Sequence, residues 1–147
     1  MGTGACSPIK IIDPAPAGQE GCGIGRLHTL TDAVSIDEIS KRIKSHLGLK
    51  FLRRSAIEKD QQIKTIAICA GSGSSVLANV KADLYLTGEM SHHEVLAANA
   101  KGVSVILTEH SNSERGYLKK LGETLKALVD SSIIKISSVD QDPLQIF

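Results

Sequence analysis

The chain has 147 residues with 17 basic and 16 acidic side chains, a net charge of +1 that offers no electrostatic footprint for nucleic acid or an anionic membrane surface. Aromatic residues make up only 3%, with no tryptophan, so a base-stacking surface is excluded as well. No apolar run approaches the ~18 residues of a membrane-spanning helix, and 41% hydrophobic residues suffice for the core of one domain.

Residues 1–22 carry three of the four prolines and several glycines, and they read as an irregular leader before an α/β domain spanning 23–147. No basic stretch followed by an apolar core marks them as a signal peptide. The three cysteines, Cys6, Cys22 and Cys69, form no C-x-x-C pair. An odd count without that spacing is neither a disulfide framework nor a zinc finger, and it points to a reducing compartment. "GRLHTL" (25–30) reads as a short strand. In "SIDEISKRIKSHLG", Ile36, Ile39, Ile43 and Leu47 recur at helical spacing. Ser35 with Glu38 matches a capping box, and Gly48 suits the stop. "LKFLRRSAI" (49–57) reads as a strand and "EKDQQ" as a polar turn.

Three strand–helix units follow. "IKTIAICA" (63–70) is almost continuously apolar, as expected of a strand covered on both faces. Cys69 within it reads as a small buried residue. "GSGSS" leads into a short helix through "VLANVK". "DLYLTG" (83–88) precedes a helix in "HHEVLAANAK", and "VSVILTE" (103–109) precedes a longer helix over 113–130. "SIIKISS" (132–138) reads as a last strand. Alternating strands and helices imply a mainly parallel sheet. Ligands in such sheets bind beyond the carboxyl ends of the strands, where "GSGSS", "GEMSHH" and "EHSNSE" all fall.

Each loop carries a candidate. In "GSGSS", Gly71, Gly73, Ser74 and Ser75 lie at a helix start, where free amides attract anions; a tight turn that merely starts a helix explains them equally. His92 and His93 can be ligands, proton shuttles or surface residues, and because Ser91 and Glu94 form S-x-x-E, Glu94 fits a cap better than a base. Glu89 and Thr87, at the strand end, can bind a ligand or support a histidine. His110 and Glu114 have the spacing H-x-x-x-E, which can place imidazole and carboxylate on one zinc, iron or manganese ion. The competing reading is a second capping box, Ser111 with Glu114. His28 reads as a strand residue and His46 as part of a solvated helix face.

Four segments in order, "GCGIGRLHTL", "AICAGSGSSVL", "DLYLTGEMSHHEVLAA" and "VILTEHSNSERGYL", resemble the C-terminal half of the Ngg-interacting-factor-three-like proteins, whose bacterial members are labelled GTP cyclohydrolase type 2-like. The resemblance covers residues 21–147 and is nearest to the animal members, down to the ending "DPLQ". It implies an α/β fold with a two-metal site at the sheet rim, to which His110 and Glu114 contribute, with His92 and His93 near the same cavity. It further implies hydrolase-like chemistry, a cytoplasmic and nuclear location, oligomerisation, and transcriptional regulators as partners. Members of the family carry a His-His-Pro motif and an Asp in an N-terminal half, and this sequence contains no such motif. The expectation is therefore a truncated form with an incomplete site, weak metal binding, self-association and protein interaction as alternatives to catalysis.

Overall fold

The computed structural model describes residues 2–12, 14–19, 21–129, 134–140 and 142–144. Among these residues, six strands form one mixed sheet in the order β1-β2-β4-β5-β6-β3. Strand β4 (Gln62–Ser72) runs parallel to β5 (Leu84–Glu89), which runs parallel to β6 (Ser104–Leu107). This parallel centre is what the strand–helix alternation anticipates. The flanks differ. β1 (Gly4–Ile11) pairs antiparallel with β2 (Gly23–Ser35), β2 antiparallel with β4, and the short β3 (Arg53–Ser55) antiparallel with β6. The sheet is thus mixed rather than mainly parallel, because only the β4–β6 segments are joined by helical crossovers.

The segment expected to be an irregular leader contains an eight-residue strand. Pro8 lies inside it, opposite Arg26. Proline removes a donor, but β1 is an edge strand that, among the described residues, has a partner strand on one side only, so the lost amide is tolerated there. The punctuating residues Pro14, Pro16 and Gly18 fall instead in the connection to β2. At the other end, the expected strand over 132–138 is not found in its described part, 134–138; residues 132 and 133 lie outside the described residues. Ile134 and Ile136 pass beside Gly122 of helix α5 (Gly116–Leu128) and not along a sheet edge.

Helix α1 (Ile36–Leu47) forms where the isoleucine spacing places it. The Ser35 hydroxyl accepts the Glu38 amide, and Gly48 closes the helix at φ 68°. The Glu38 carboxylate turns to Arg42 at 2.8 Å, and its role in a reciprocal cap is thereby replaced. Ile36, Ile39 and Ile43 pack on one sheet face with Leu30, Ile63, Ile66, Leu84 and Ile106. The opposite face carries Ala67, Tyr85, Val105 and Leu107, which pack with Val103, with Leu77 of α2 (Ser74–Leu77) and with Ala98 of α3 (His92–Ala100). Alternate residues of β4 and β6 serve the two layers, which is why both read as continuous apolar runs.

The expected helix over 113–130 begins earlier and is divided. Helix α4 (His110–Glu114) starts at the histidine, and α5 follows after Arg115. Arg115 is held by Asp140 at 2.6 and 3.0 Å, which ties the C-terminal segment back to this junction.

Candidate functional site

The carboxyl ends of β4, β5 and β6 converge in backbone contact. Two glycines permit it. A Cβ on Gly88 would lie 2.7 Å from the Gly71 carbonyl oxygen, 2.7 Å from Ser113 Oγ and 3.0 Å from the Glu109 carbonyl oxygen. A Cβ on Gly71, where φ is +64°, would lie 2.7 Å from Glu114 Oε1 and 3.1 Å from His110 Nε2. Ser113 ties the loops together: its hydroxyl accepts the Gly71 amide at 2.8 Å and donates to the His110 carbonyl at 2.6 Å.

His110 stands between two carboxylates. Its Nδ1 is 2.6 Å from Glu89 Oε1, and its Nε2 is 3.6 Å from Glu114 Oε1. The hydrogen bond to Glu89 holds the imidazole pKa above its ordinary value, and the Glu114 and Asp142 charges add to that effect. With Nδ1–H donating to Glu89, Nε2 faces Glu114, and in the neutral ring it is Nε2 that carries the lone pair. Metal-binding histidines commonly have this arrangement, in which a carboxylate behind the ring fixes the tautomer.

The two S-x-x-E motifs have different fates. Ser91 and Glu94 form a complete capping box at the start of α3, with the Glu94 carboxylate accepting the Ser91 amide at 2.8 Å. Hydrogen bonds from the Ser74 side chain and then from Ser91 hold the Glu94 pKa low. Ser111 is not the cap of α4, because the helix starts two residues earlier than that cap would place it, with Glu109 at the N-cap and no side-chain cap. Glu114 is thereby available to face His110. Glu89, read from the sequence as a possible support for a histidine, occupies that role.

His92 and His93 are exposed at the start of α3, their rings in edge contact at 5.8 Å, and neither is a partner of His110 in the contacts described. The geometry brings His110, Glu114 and Glu89 together and leaves the histidine pair outside that cluster. In the glycine segment two amides are already engaged. The Gly71 amide is taken by Ser113 and the Gly73 amide by Thr87 Oγ1 at 3.0 Å, while α2 has only four residues. Gly71 and Gly73 serve close packing, and Ser74 and Ser75 open the short helix; the Ser75 carbonyl accepts Lys10 Nζ at 3.2 Å.

Among the described residues, no group of three or more His, Cys, Asp or Glu side chains is arranged to hold a metal ion. The pair His110 and Glu114 nonetheless fits as two ligands. The Nε2–Oε1 separation of 3.6 Å lets both reach one ion at ~2.0–2.2 Å, and glycine at position 71 leaves the space beside both atoms clear. Beyond Ser113 lies a cleft of about 250 Å³ between the C-terminal end of α1 and the sheet, walled by Ile43, Leu47, Ile68 and Leu86 and floored by Thr108. His46 lines it as well, although the sequence reads it only as part of a solvated face. Cys69 also borders this cleft, and burial raises its thiol pKa. No spacing pattern in the sequence singles out Ser113, Gly88 or Glu109, because their roles depend on contacts between elements far apart in the chain.

A family model described as Duf34/NIF3 (NGG1p interacting factor 3) matches residues 2–143. The chain belongs to the Duf34/NIF3 family. The match begins in the segment read from sequence as a leader, in agreement with the strand found there. NIF3-like protein 1 of Mus musculus is 52% identical over 128 residues, covering 84% of this chain and 34% of the mouse protein. NGG1-interacting factor 3 of Saccharomyces cerevisiae is 37% identical over 133 residues, covering 84% of this chain and 45% of the yeast protein. A crystal structure of a Staphylococcus aureus protein superposes with TM-score 0.69 at 27% identity, over 85% of this chain and 37% of that one. The NIF3-family chain thus spans about a third of the length of its mouse relative.

Proposed function

We propose that this chain supplies a His–Glu ligand pair for one divalent metal ion at the carboxyl end of its sheet, as one part of a metal-dependent, hydrolase-like site. The observation that carries this reading is His110, backed by Glu89 through Nδ1 at 2.6 Å and facing Glu114 through Nε2 at 3.6 Å. A bound divalent ion would supply Lewis acidity and a water of lowered pKa. Glu89 would fix the imidazole, and Ser113 would hold Gly71 against the pair. Two protein ligands are fewer than the three usual at a catalytic zinc site, so binding is expected to be weak and limited to one ion, zinc, iron or manganese. Equilibrium dialysis against zinc and manganese tests this. The expected result is one weakly held ion per chain, lost in His110→Ala. Binding that His110→Ala leaves unchanged removes the proposal, and two tightly held ions overturn its incomplete site.

A second reading is protein interaction in transcriptional regulation. It is supported by the yeast relative's name, NGG1-interacting factor 3, and by exposed apolar side chains along α5, among them Tyr117 and Leu128. A purified NGG1-type regulator that shows no binding to this chain in a pull-down would remove it. Self-association belongs with this reading, since among the described residues β1 leaves one sheet edge open and Ile11 and Ile24 are exposed beside it. Sedimentation equilibrium is expected to show a dimer or larger species; monomer alone at high concentration would count against it.

A further inference from the structure

Glu109 has φ 68° and ψ 153°, and among the described residues only Asn79 shares a positive φ without being glycine. This backbone region is strained for any residue with a Cβ and persists only when the surroundings enforce it. The surroundings here are specific. The Glu109 carboxylate takes two hydrogen bonds from the Arg53 guanidinium, at 2.8 and 3.3 Å. Arg53 lies on β3 directly opposite Leu107, the last residue of β6, so the short antiparallel strand carries a cation to the corner where the chain leaves the sheet. The residue before the corner is pinned, with the Thr108 amide donating to the Thr87 carbonyl at 3.1 Å. The residue after it is pinned by Ser113 on the His110 carbonyl. Glu109 is the joint between two fixed points.

We infer that Arg53 and Glu109 form a positioning clamp: by holding the strained β6–α4 corner, they keep the His110 ring on Glu89 with Nε2 turned toward Glu114. The inference rests on the metal-ligand reading only for its purpose; the clamp itself is a property of the metal-free chain. If Glu109 relaxed to negative φ, the next peptide would rotate and swing the Cα–Cβ bond of His110 away from Glu89. Glycine would adopt this corner without strain, but it has no carboxylate for Arg53. The guanidinium grips both carboxylate oxygens, a planar match that fixes direction as well as distance.

The test is made on the whole metal-free chain by nitrogen NMR of the His110 imidazole at about pH 9, above the ordinary histidine range. In the unaltered chain the ring is expected as the Nδ1–H tautomer. In Arg53→Ala and in Glu109→Gly it is expected as a mixture, with partial return to Nδ1–H in Arg53→Lys. Arg54→Ala, which removes an ion pair with Asp37 on the neighbouring residue, is expected to leave the tautomer unchanged. Strain is read separately: Glu109→Gly is expected to melt above Glu109→Ala by roughly 2–4 °C, since both lack the carboxylate and only alanine keeps the Cβ. An unchanged tautomer in both Arg53→Ala and Glu109→Gly overturns the clamp, and so does an alanine variant as stable as the glycine one. Zinc titration of the unaltered chain tests the metal reading alone, because failure to bind zinc leaves the tautomer result standing.

Discussion

Ile66→Ala is expected to reduce the free energy of unfolding by about 2–5 kcal/mol, the range for deleting a fully buried branched side chain. Ile66 is wholly inaccessible, lies mid-way along β4, and pairs with His28 on one side and Leu84 on the other. Its side chain meets the α1 layer, so its loss leaves a cavity between two rigid elements that cannot readily close. Total stabilities of small domains are about 5–15 kcal/mol, so the variant forfeits a large share. Each kcal/mol lowers Tm by about 2–4 °C in a chain of this size. Ile24→Ala provides the comparison: Ile24 is 52% exposed, and its truncation is expected to cost no more than about 0.5 kcal/mol. Urea unfolding of both variants measures the difference, and equal losses would contradict a core on the α1 face.

The features legible from sequence are those written in local pattern. The isoleucine repeat and the Ser35 and Gly48 caps define α1 because they lie within one turn or one helix of one another. The β4 run of apolar residues reveals a strand covered on both faces, as its two-layer packing shows. The antiparallel flanks are not written locally. β1 contains the helix- and strand-breaking Pro8, and β3 has only three residues, so each exists through a distant partner, β2 and β6 respectively. The site divides in the same way. H-x-x-x-E names His110 and Glu114, yet Ser91-x-x-Glu94 and Ser111-x-x-Glu114 are the same pattern in sequence. The difference is where each helix starts, and for α4 that is decided by the backbone of Glu109, which is set by Arg53 from 56 residues away. The glycine loop illustrates the converse: its composition suits an anion site, while its Gly71 and Gly73 amides are consumed by Ser113 and Thr87.

Gly88→Ala is expected to cost about 1–3 kcal/mol in stability, as overpacking does, and to abolish whatever metal binding the chain has. The added methyl would stand 2.7 Å from the Gly71 carbonyl oxygen, 2.7 Å from Ser113 Oγ and 3.0 Å from the Glu109 carbonyl oxygen. Two of these atoms are backbone, one near the end of β4 and one at the β6–α4 corner, so no side chain can simply rotate aside. Ser113 is the movable atom, and moving it breaks the bonds to the Gly71 amide and the His110 carbonyl that hold those loops together. Glu114, the next residue, would shift with it, and the 3.6 Å separation from His110 Nε2 would open. Gly116→Ala is the same chemical change at a position where an added Cβ meets no heavy atom within 4 Å. At the first residue of α5 it is expected to be neutral or to stabilise by up to about 1 kcal/mol, because alanine is the better helix former. Denaturant unfolding and zinc dialysis on the two variants separate the cases. Zinc binding that survives Gly88→Ala unchanged would mean that contact between the loops does not hold the ligand pair. Loss in Gly88→Ala but not in Gly116→Ala would mean that a glycine on β5, with no ligand atom of its own, sets the distance between the two that have one.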